Sequence, residues 1–301
     1  MSLVTPPTHP VLAAAPPGSF WRRLRHGVRR LHARRDWADF VGTYWPESIM
    51  TAAVTDDFHV KQGRSTGRWV LRVRGRELTV YLKRHYRLPW WRGLLALLGP
   101  GGDWSPALQE RRHLEWARAQ GVPVPRVVAA GEFVGPWCRL RSFLVVEELT
   151  GMLALHQAIP LAARTLPPEA FGRWKAGLAR EVARLTRTLH DRRHFHKDLY
   201  LCHFYIPRAD TQAPPPCWEG RVHLIDLHRL ARHPLTWPVW LAKDLGELLF
   251  SSDVAGVAPR DRVRFWRAYL GARRRGPLAR LLAAYVRLKA KSYRRHNEKD
   301  E

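Results

Sequence analysis

Residues 194–206 read HFHKDLYLCHFYI, with three histidines and one aspartate set among large apolar residues within thirteen positions. As metal ligands, His194, His196 and His203 stand at i, i+2 and i+9 with no cysteine or second histidine pair at ligand spacing, which is poor zinc geometry. A buried strand with satisfied core histidines fits them better than zinc does. The flanking text is more decisive. Phe171, Trp174, Leu178, Val182, Leu185 and Leu189 recur in steps of three and four, which predicts a long helix from Glu169 to about His190, running into the quoted stretch. Beyond it, RVHLIDL at 221–227 predicts a second apolar strand that ends on Asp226.

The register from His196 to His203 is H-K-D-L-x-x-x-H, that of the protein-kinase loop H-R-D-L-x-x-x-N, whose aspartate orients and deprotonates the attacking hydroxyl. Asp226 then sits where a kinase places its metal-binding D-F-G aspartate. The 28 residues between Asp198 and Asp226 exceed a tight hairpin, but they contain PRADTQAPPPCWEG, a proline-rich loop that lengthens the connection locally.

Upstream, FHVKQ, RWVLRV and LTVYLK between 58 and 83 alternate as strands, the last two joined by the turn RGRE. Lys83 ends VYLK, the place of the lysine in V-A-I-K that holds nucleotide phosphates and pairs with a helix glutamate. Helical spacing over 106–119 offers two partners. Ala107, Glu110, Leu114 and Ala117 share one face, whereas Glu115 lies among Arg111, Arg112 and Arg118, so Glu110 is preferred. GVPVPRVVAAGEF and RLRSFLVVEEL predict two further strands. Gly63 and Gly67 flank the first turn, where backbone amides could cover phosphates; they join Lys83, Glu147 and Glu148 as nucleotide-binding candidates. The predicted fold is α+β and bilobal, protein-kinase-like, with an antiparallel N-lobe sheet plus one helix over 51–150 and a mainly helical C-lobe over 151–301.

The 301 residues are 46% apolar and carry a formal charge of +25 with a pI of about 11.2, which calls for a polyanionic neighbour, nucleic acid or an anionic membrane surface. Three cysteines without CxxC spacing fit a reducing cytosol. No long uncharged apolar run predicts a transmembrane helix, and the start of the chain lacks a secretory pattern. Residues 1–19 read as a flexible proline-rich tail. Phe20–Arg35, FWRRLRHGVRRLHARR, reads as a basic amphipathic helix suited to anionic lipid, followed by a linker to residue 50. PWWRGLLALLGPGG at 89–102 either pads the small lobe or dips into a membrane interface, and the segment from Arg260, including ARRRG and PLARLLAAYVRLKAKSYRR, makes the C-terminus basic as well.

Taken together, YLKRH, LPWWRGLLALL, LQE, GVPVPRVVAAGE, HKDLYLCHFYI, LIDLHR and KDLGELLFSS make the chain resemble the lipopolysaccharide core heptose kinases and related Kdo kinases over residues 55–270. The resemblance implies a cytoplasmic enzyme, peripheral at the inner face of the cytoplasmic membrane, that transfers the γ-phosphate of ATP with Mg²⁺ to a heptose or Kdo hydroxyl of the lipopolysaccharide core. It implies that Lys83 holds phosphates, Glu110 fixes Lys83, Asp198 is the base, Asp226 binds magnesium, Asp244 anchors the catalytic-loop backbone and His196 braces it. His203 replaces the asparagine that usually binds the second magnesium, and imidazole suits Mg²⁺ poorly. Two rivals are a small-molecule, aminoglycoside-type phosphotransferase of the same fold and a non-catalytic basic nucleic-acid-binding module. The first needs no basic helices, and the second lacks an RNP sequence or C₂H₂ spacing.

Overall fold

The computed structural model describes residues 11–12, 19–61, 63–99, 101–271 and 276–300. The tail expected over 1–19 and the arginines of ARRRG lie almost wholly outside the described residues. The chain divides into two units, the first running to Glu115 and resuming over Pro125–Thr150, the second made of Trp116–Val124 and Gly151–Glu301.

The first unit contains β1 (Val11–Leu12), α1 (Phe20–His26), β2 (Val28–Ala33), α2 (Trp37–Val41), α3 (Trp45–Ser48), β3 (Asp56–Lys61), β4 (Arg64–Val73), β5 (Arg76–His85), α4 (Trp90–Leu98), α5 (Pro106–Ala119) up to Glu115, β6 (Val127–Val134) and β7 (Leu140–Glu147). Among the described residues its strands form one antiparallel sheet in the order β1-β2-β6-β7-β5-β4-β3. The β4–β5 hairpin is registered from Arg64↔His85 to Val73↔Arg76. Arg74 and Gly75 both take positive φ between those strands, the twist a two-residue hairpin loop requires.

The basic helix expected over Phe20–Arg35 is not formed as one element. It stops at Gly27, where φ is 76° and an added Cβ would lie 2.3 Å from the Val134 carbonyl oxygen. The chain then turns into β2, which pairs with β6 from Val28↔Val134 to Ala33↔Ala129. Leu24, Val28 and Leu31 suit a helical period, but the residues that β2 buries are Leu31 and Ala33, two apart, which is the period of a strand. The expected linker to residue 50 is likewise core: Trp37, Trp45 and Ile49 are buried against Phe143 and Val80.

In the second unit, β8 (Met152–Ala154), α6 (Leu155–Thr165) and α7 (Pro168–Asp191) precede β9 (His194–Phe195), β10 (Phe204–Pro207), β11 (His223–Leu224) and β12 (Ala231–Arg232), and α8 (Trp237–Ser251), α9 (Pro259–Leu270) and α10 (Pro277–Asp300) follow. The apolar stripe of α7 buries Trp174, Leu178, Val182, Leu185 and Leu189. Antiparallel pairing of Phe204 with Leu224 closes the proline-rich excursion, so its length does not separate the two ends. The strand expected over 221–227 shortens to β11, because Asp226 turns left-handed (φ 62°) and a 3-10 turn, Leu227–Arg229, begins there.

Candidate active site

The predicted residues fall into two groups, one in each unit. In the first, Lys83 lies near the end of β5, between Thr66 of β4 and Leu144 of β7. Its Nζ donates to Glu110 Oε1 at 2.7 Å. Glu110 is buried on the α5 face that also buries Ala107, Leu108 and Leu114, so the ammonium supplies the partner that a carboxylate without water requires. Glu115 points elsewhere and pairs with Arg111 at 2.8 Å. The start of α5 is tied to the sheet, since the Ser105 amide donates to Glu132 Oε2 at 3.2 Å. Burial raises the Glu132 pKa above its ordinary value, against the opposing pull of Ser105 and Arg30.

Gly63 makes the β3–β4 turn with φ of 77°, whereas Gly67 lies inside β4 opposite Leu82, away from that turn. Glu147 pairs with Arg34. Glu148 accepts from Arg68 at 2.7 and 3.0 Å and from Tyr81 at 3.2 Å, and the Arg68 hydrogen bonds lower its pKa. Both carboxylates are thus occupied within the unit.

The second group is built by one face of α8. Asp244 Oδ2 accepts the His196 amide and Oδ1 the Lys197 amide, each at 2.8 Å. One turn on, Glu247 Oε2 accepts the Leu199 amide at 3.0 Å, and after a further turn Ser251 Oγ accepts the Leu201 amide at 2.8 Å. Positions i, i+3 and i+7 share one helical face, so three side chains of α8 take up four loop amides between His196 and Leu201 that no strand pairing satisfies. Asp244 also receives His190 Nε2 at 3.2 Å from the end of α7. Glu247 is pushed up by burial, opposed by the Lys243 ammonium bonded to it.

On that frame Asp198 presents its carboxylate to Arg229, whose Nη1 donates to both oxygens at 2.8 and 2.9 Å, with Lys243 Nζ at 3.8 Å. His203 Nδ1 donates to the Asp198 carbonyl at 2.7 Å, which turns Nε2 toward Asp226 Oδ2 at 4.0 Å. Burial disfavours the His203 cation, but the bonds to Cys202 and the Asp198 carbonyl outweigh it and raise the pKa. Asp226 also accepts from His228 Nδ1 at 2.7 Å.

The three histidines of the opening stretch have separate partners. Buried His196 donates from Nε2 to the Ile225 carbonyl at 3.0 Å, and burial lowers its pKa. His194 stacks on Trp116 with centroids 3.8 Å apart. Among the described residues no three His, Cys, Asp or Glu side chains are grouped to hold a metal ion. The donor chemistry does fit Mg²⁺ at one point: Asp226 is a partly exposed carboxylate, and Mg²⁺ takes one or two carboxylates together with phosphate oxygens and water. His203 fits less well, because Mg²⁺ prefers oxygen donors and one ring nitrogen is already committed to the Asp198 carbonyl.

Sequence reasoning missed Arg229, Lys243, Glu247 and Ser251. The last two had a signal, since KDLGELLFSS places them at i+3 and i+7 from Asp244, an aspartate already singled out.

Residues 64–269 match the model of the lipopolysaccharide kinase (Kdo/WaaP) family. The chain is 32% identical over 221 residues to the lipopolysaccharide core heptose(I) kinase WaaP of Pseudomonas aeruginosa, spanning 73% of this chain and 77% of that protein. It is also 32% identical over 205 residues to the protein of the same name from Escherichia coli, covering 63% and 71% of the two. A solved structure described as WaaP in complex with acyl carrier protein superposes with a TM-score of 0.61 at 29% identity, over 87% of this chain and 98% of that one.

Proposed function

Because the chain belongs to the lipopolysaccharide kinase (Kdo/WaaP) family, we propose that it transfers the γ-phosphate of ATP to a heptose hydroxyl of the lipopolysaccharide inner core. The observation that carries this reading is the α8 ladder, which fixes the backbone on both sides of Asp198 while its carboxylate is turned to Arg229. Asp198 orients the acceptor hydroxyl and takes its proton, while Arg229 aims the carboxylate until the hydroxyl arrives. Lys83, positioned by Glu110, binds the phosphates of ATP. Asp226 would hold Mg²⁺, which when bound neutralises phosphate charge. His203 keeps the loop in register through the Asp198 carbonyl and turns Nε2 toward Asp226.

The acceptor is a glycolipid, so the chain works peripherally at the inner face of the cytoplasmic membrane. Among the described residues no helix is long and apolar enough to cross a membrane. Purified protein with labelled ATP and detergent-solubilised core glycolipid should transfer label, and Asp198→Ala should abolish transfer without loss of folding. Label reaching soluble aminoglycosides instead would favour the small-molecule rival.

A partner reading has its own support. The second unit holds an apolar cavity of about 750 Å³, lined by Leu178, Val182, Leu248, Phe265 and Trp266 and edged by Arg294. Its size and lining suit an acyl chain, and the solved relative was captured with an acyl carrier protein. This chain should therefore elute with added acylated carrier and not with the unacylated form; equal behaviour of the two forms removes the reading.

A further inference from the structure

Four tryptophans of the first unit lie open to solvent although they come from three separate stretches of chain. Trp21 on α1 is 74% exposed, Trp90 and Trp91 on α4 are 68% and 47%, and Trp137 on the 3-10 turn Pro136–Cys138 is 75%. Leu98, at the end of α4, adds another exposed apolar side chain. Single exposed apolar residues are ordinary, but a group of large ones on neighbouring elements marks an interaction surface.

The three elements pack against one another. The backbones of α4 and the turn meet at Gly93, where an added Cβ would fall 1.9 Å from the Cys138 carbonyl oxygen. Beneath them Ala96, Leu97, Val134 and Leu140 form a small buried core with Phe20 and Leu24 against it. The platform is therefore braced from below. α4 is apolar on both sides: Gly93, Ala96 and Leu97 face inward, while Trp91 and Leu98, seven residues apart, face outward. Such a helix is at home only where something apolar covers its outer face. Trp137 is held outward by a left-handed backbone (φ 59°, ψ 42°), a region in which a bulky residue is an outlier.

Charge identifies the cover. α1 carries Arg22, Arg23 and Arg25, α4 carries Arg92, Arg139 follows the turn, and no acidic residue occurs in any of the three elements. Arg23 Nε donates to the Leu97 carbonyl at 2.9 Å, linking α1 to α4, and the Arg92 guanidinium lies 5.2 Å from the Trp91 ring centroid. Tryptophan rings favour the headgroup level of a bilayer, and arginines beside them match anionic headgroups. We propose that α1, α4 and the Pro136–Cys138 turn form a membrane-docking platform that seats the chain on an anionic leaflet. The inference deepens the glycolipid reading and takes its direction from it, since an acceptor anchored in a bilayer requires the enzyme to dwell there.

The test uses the full chain with vesicles of phosphatidylglycerol and phosphatidylethanolamine, with phosphatidylcholine vesicles alongside. Wild type should cosediment with the anionic vesicles, and brominated acyl chains in them should quench its tryptophan fluorescence. Two double variants, Trp21→Ser with Trp137→Ser and Arg22→Glu with Arg25→Glu, should each bind about tenfold more weakly or worse. All four residues are partly or fully exposed, and unchanged thermal melting certifies the fold of each variant. Phosphotransfer to detergent-solubilised glycolipid should be the same in all three proteins. Wild-type binding that both variants retain, absence of quenching, or equal binding to phosphatidylcholine overturns the platform. Loss of detergent-phase transfer in wild type overturns the kinase reading, so the two failures are separable.

Discussion

Asp244→Asn is the substitution for which the structure sets the tightest expectation. The carboxylate is fully buried and accepts three hydrogen bonds, two from loop amides at 2.8 Å and one from His190 at 3.2 Å. An amide keeps one acceptor oxygen and turns the other into a donor aimed at an N–H. Hydrogen bonds to a charged group contribute about 1.5–3 kcal/mol each, so losing one and opposing another costs about 3–5 kcal/mol. Near 2–4 °C per kcal/mol for a body of this size, the second unit should melt roughly 6–20 °C lower. Because the lost bonds sit at the residues just before Asp198, kcat should also fall, by about a hundredfold for a displacement near 1 Å. Differential scanning calorimetry reads the first quantity and steady-state phosphotransfer the second. The ladder also orders its members: Ser251→Ala, which removes a single neutral acceptor, should cost about 1 kcal/mol. A melting point within about 2 °C of wild type for Asp244→Asn, with unchanged kcat, would refute the reasoning.

Three further outcomes follow from other parts of the molecule. Lys83→Met strands the buried Glu110 carboxylate and should destabilise the first unit by about 3–5 kcal/mol, whereas Lys83→Met with Glu110→Gln should recover most of that in urea unfolding while remaining inactive. Glu132 has a folded pKa above its ordinary 4.5; between the two values the folded state keeps a proton that the unfolded state releases, so this group's contribution makes stability fall as pH rises. Glu132→Gln does not titrate, and its melting point relative to wild type should therefore be more favourable at pH 7 than at pH 4.5, a difference that thermal scans at the two pH values will detect. Gly93→Ala drives a methyl group into the Cys138 carbonyl and should cost about 1–3 kcal/mol in the first unit, read by chemical denaturation.

What the sequence discloses here is local, and what it hides depends on distant partners. The loop around Asp198 could be found because a long periodic helix leads into it and its aspartate, lysine and histidines lie within eight residues. Glu110 could be separated from Glu115 because helical geometry alone assigns their faces. β2 could not be found in the same way: Leu31 pairs with Gly131, a hundred residues on, and its own neighbours suit a helix equally well. Arg229 reaches Asp198 across 31 positions and Glu247 reaches Leu199 across 48, and no local pattern encodes either bond. α4 was visible as an apolar insert, but its two-sided character emerges only when the residues beneath it are known.

Lys197 shows how this loop differs from the H-R-D pattern. Where arginine stands in that pattern it offers a fork for a phosphorylated activation segment. In this chain every polar part of the residue is taken by α8. Its amide donates to Asp244, its carbonyl accepts from Lys243, and its ammonium lies 4.4 Å from the Trp240 ring centroid. Burial lowers its pKa, with Arg229 and Lys243 adding to the effect, so a lone flexible cation replaces the planar fork and is directed at an aromatic ring. The left-handed backbone at this position, φ 71°, is held by the Asp244 carboxylate. An aspartate supplies its charge permanently, whereas a phosphate supplies it only after modification. A loop braced by Asp244, Glu247 and Ser251 is therefore set as soon as α8 folds, and phosphotransfer by this chain should require no prior phosphorylation: phosphatase-treated and untreated protein should share one kcat.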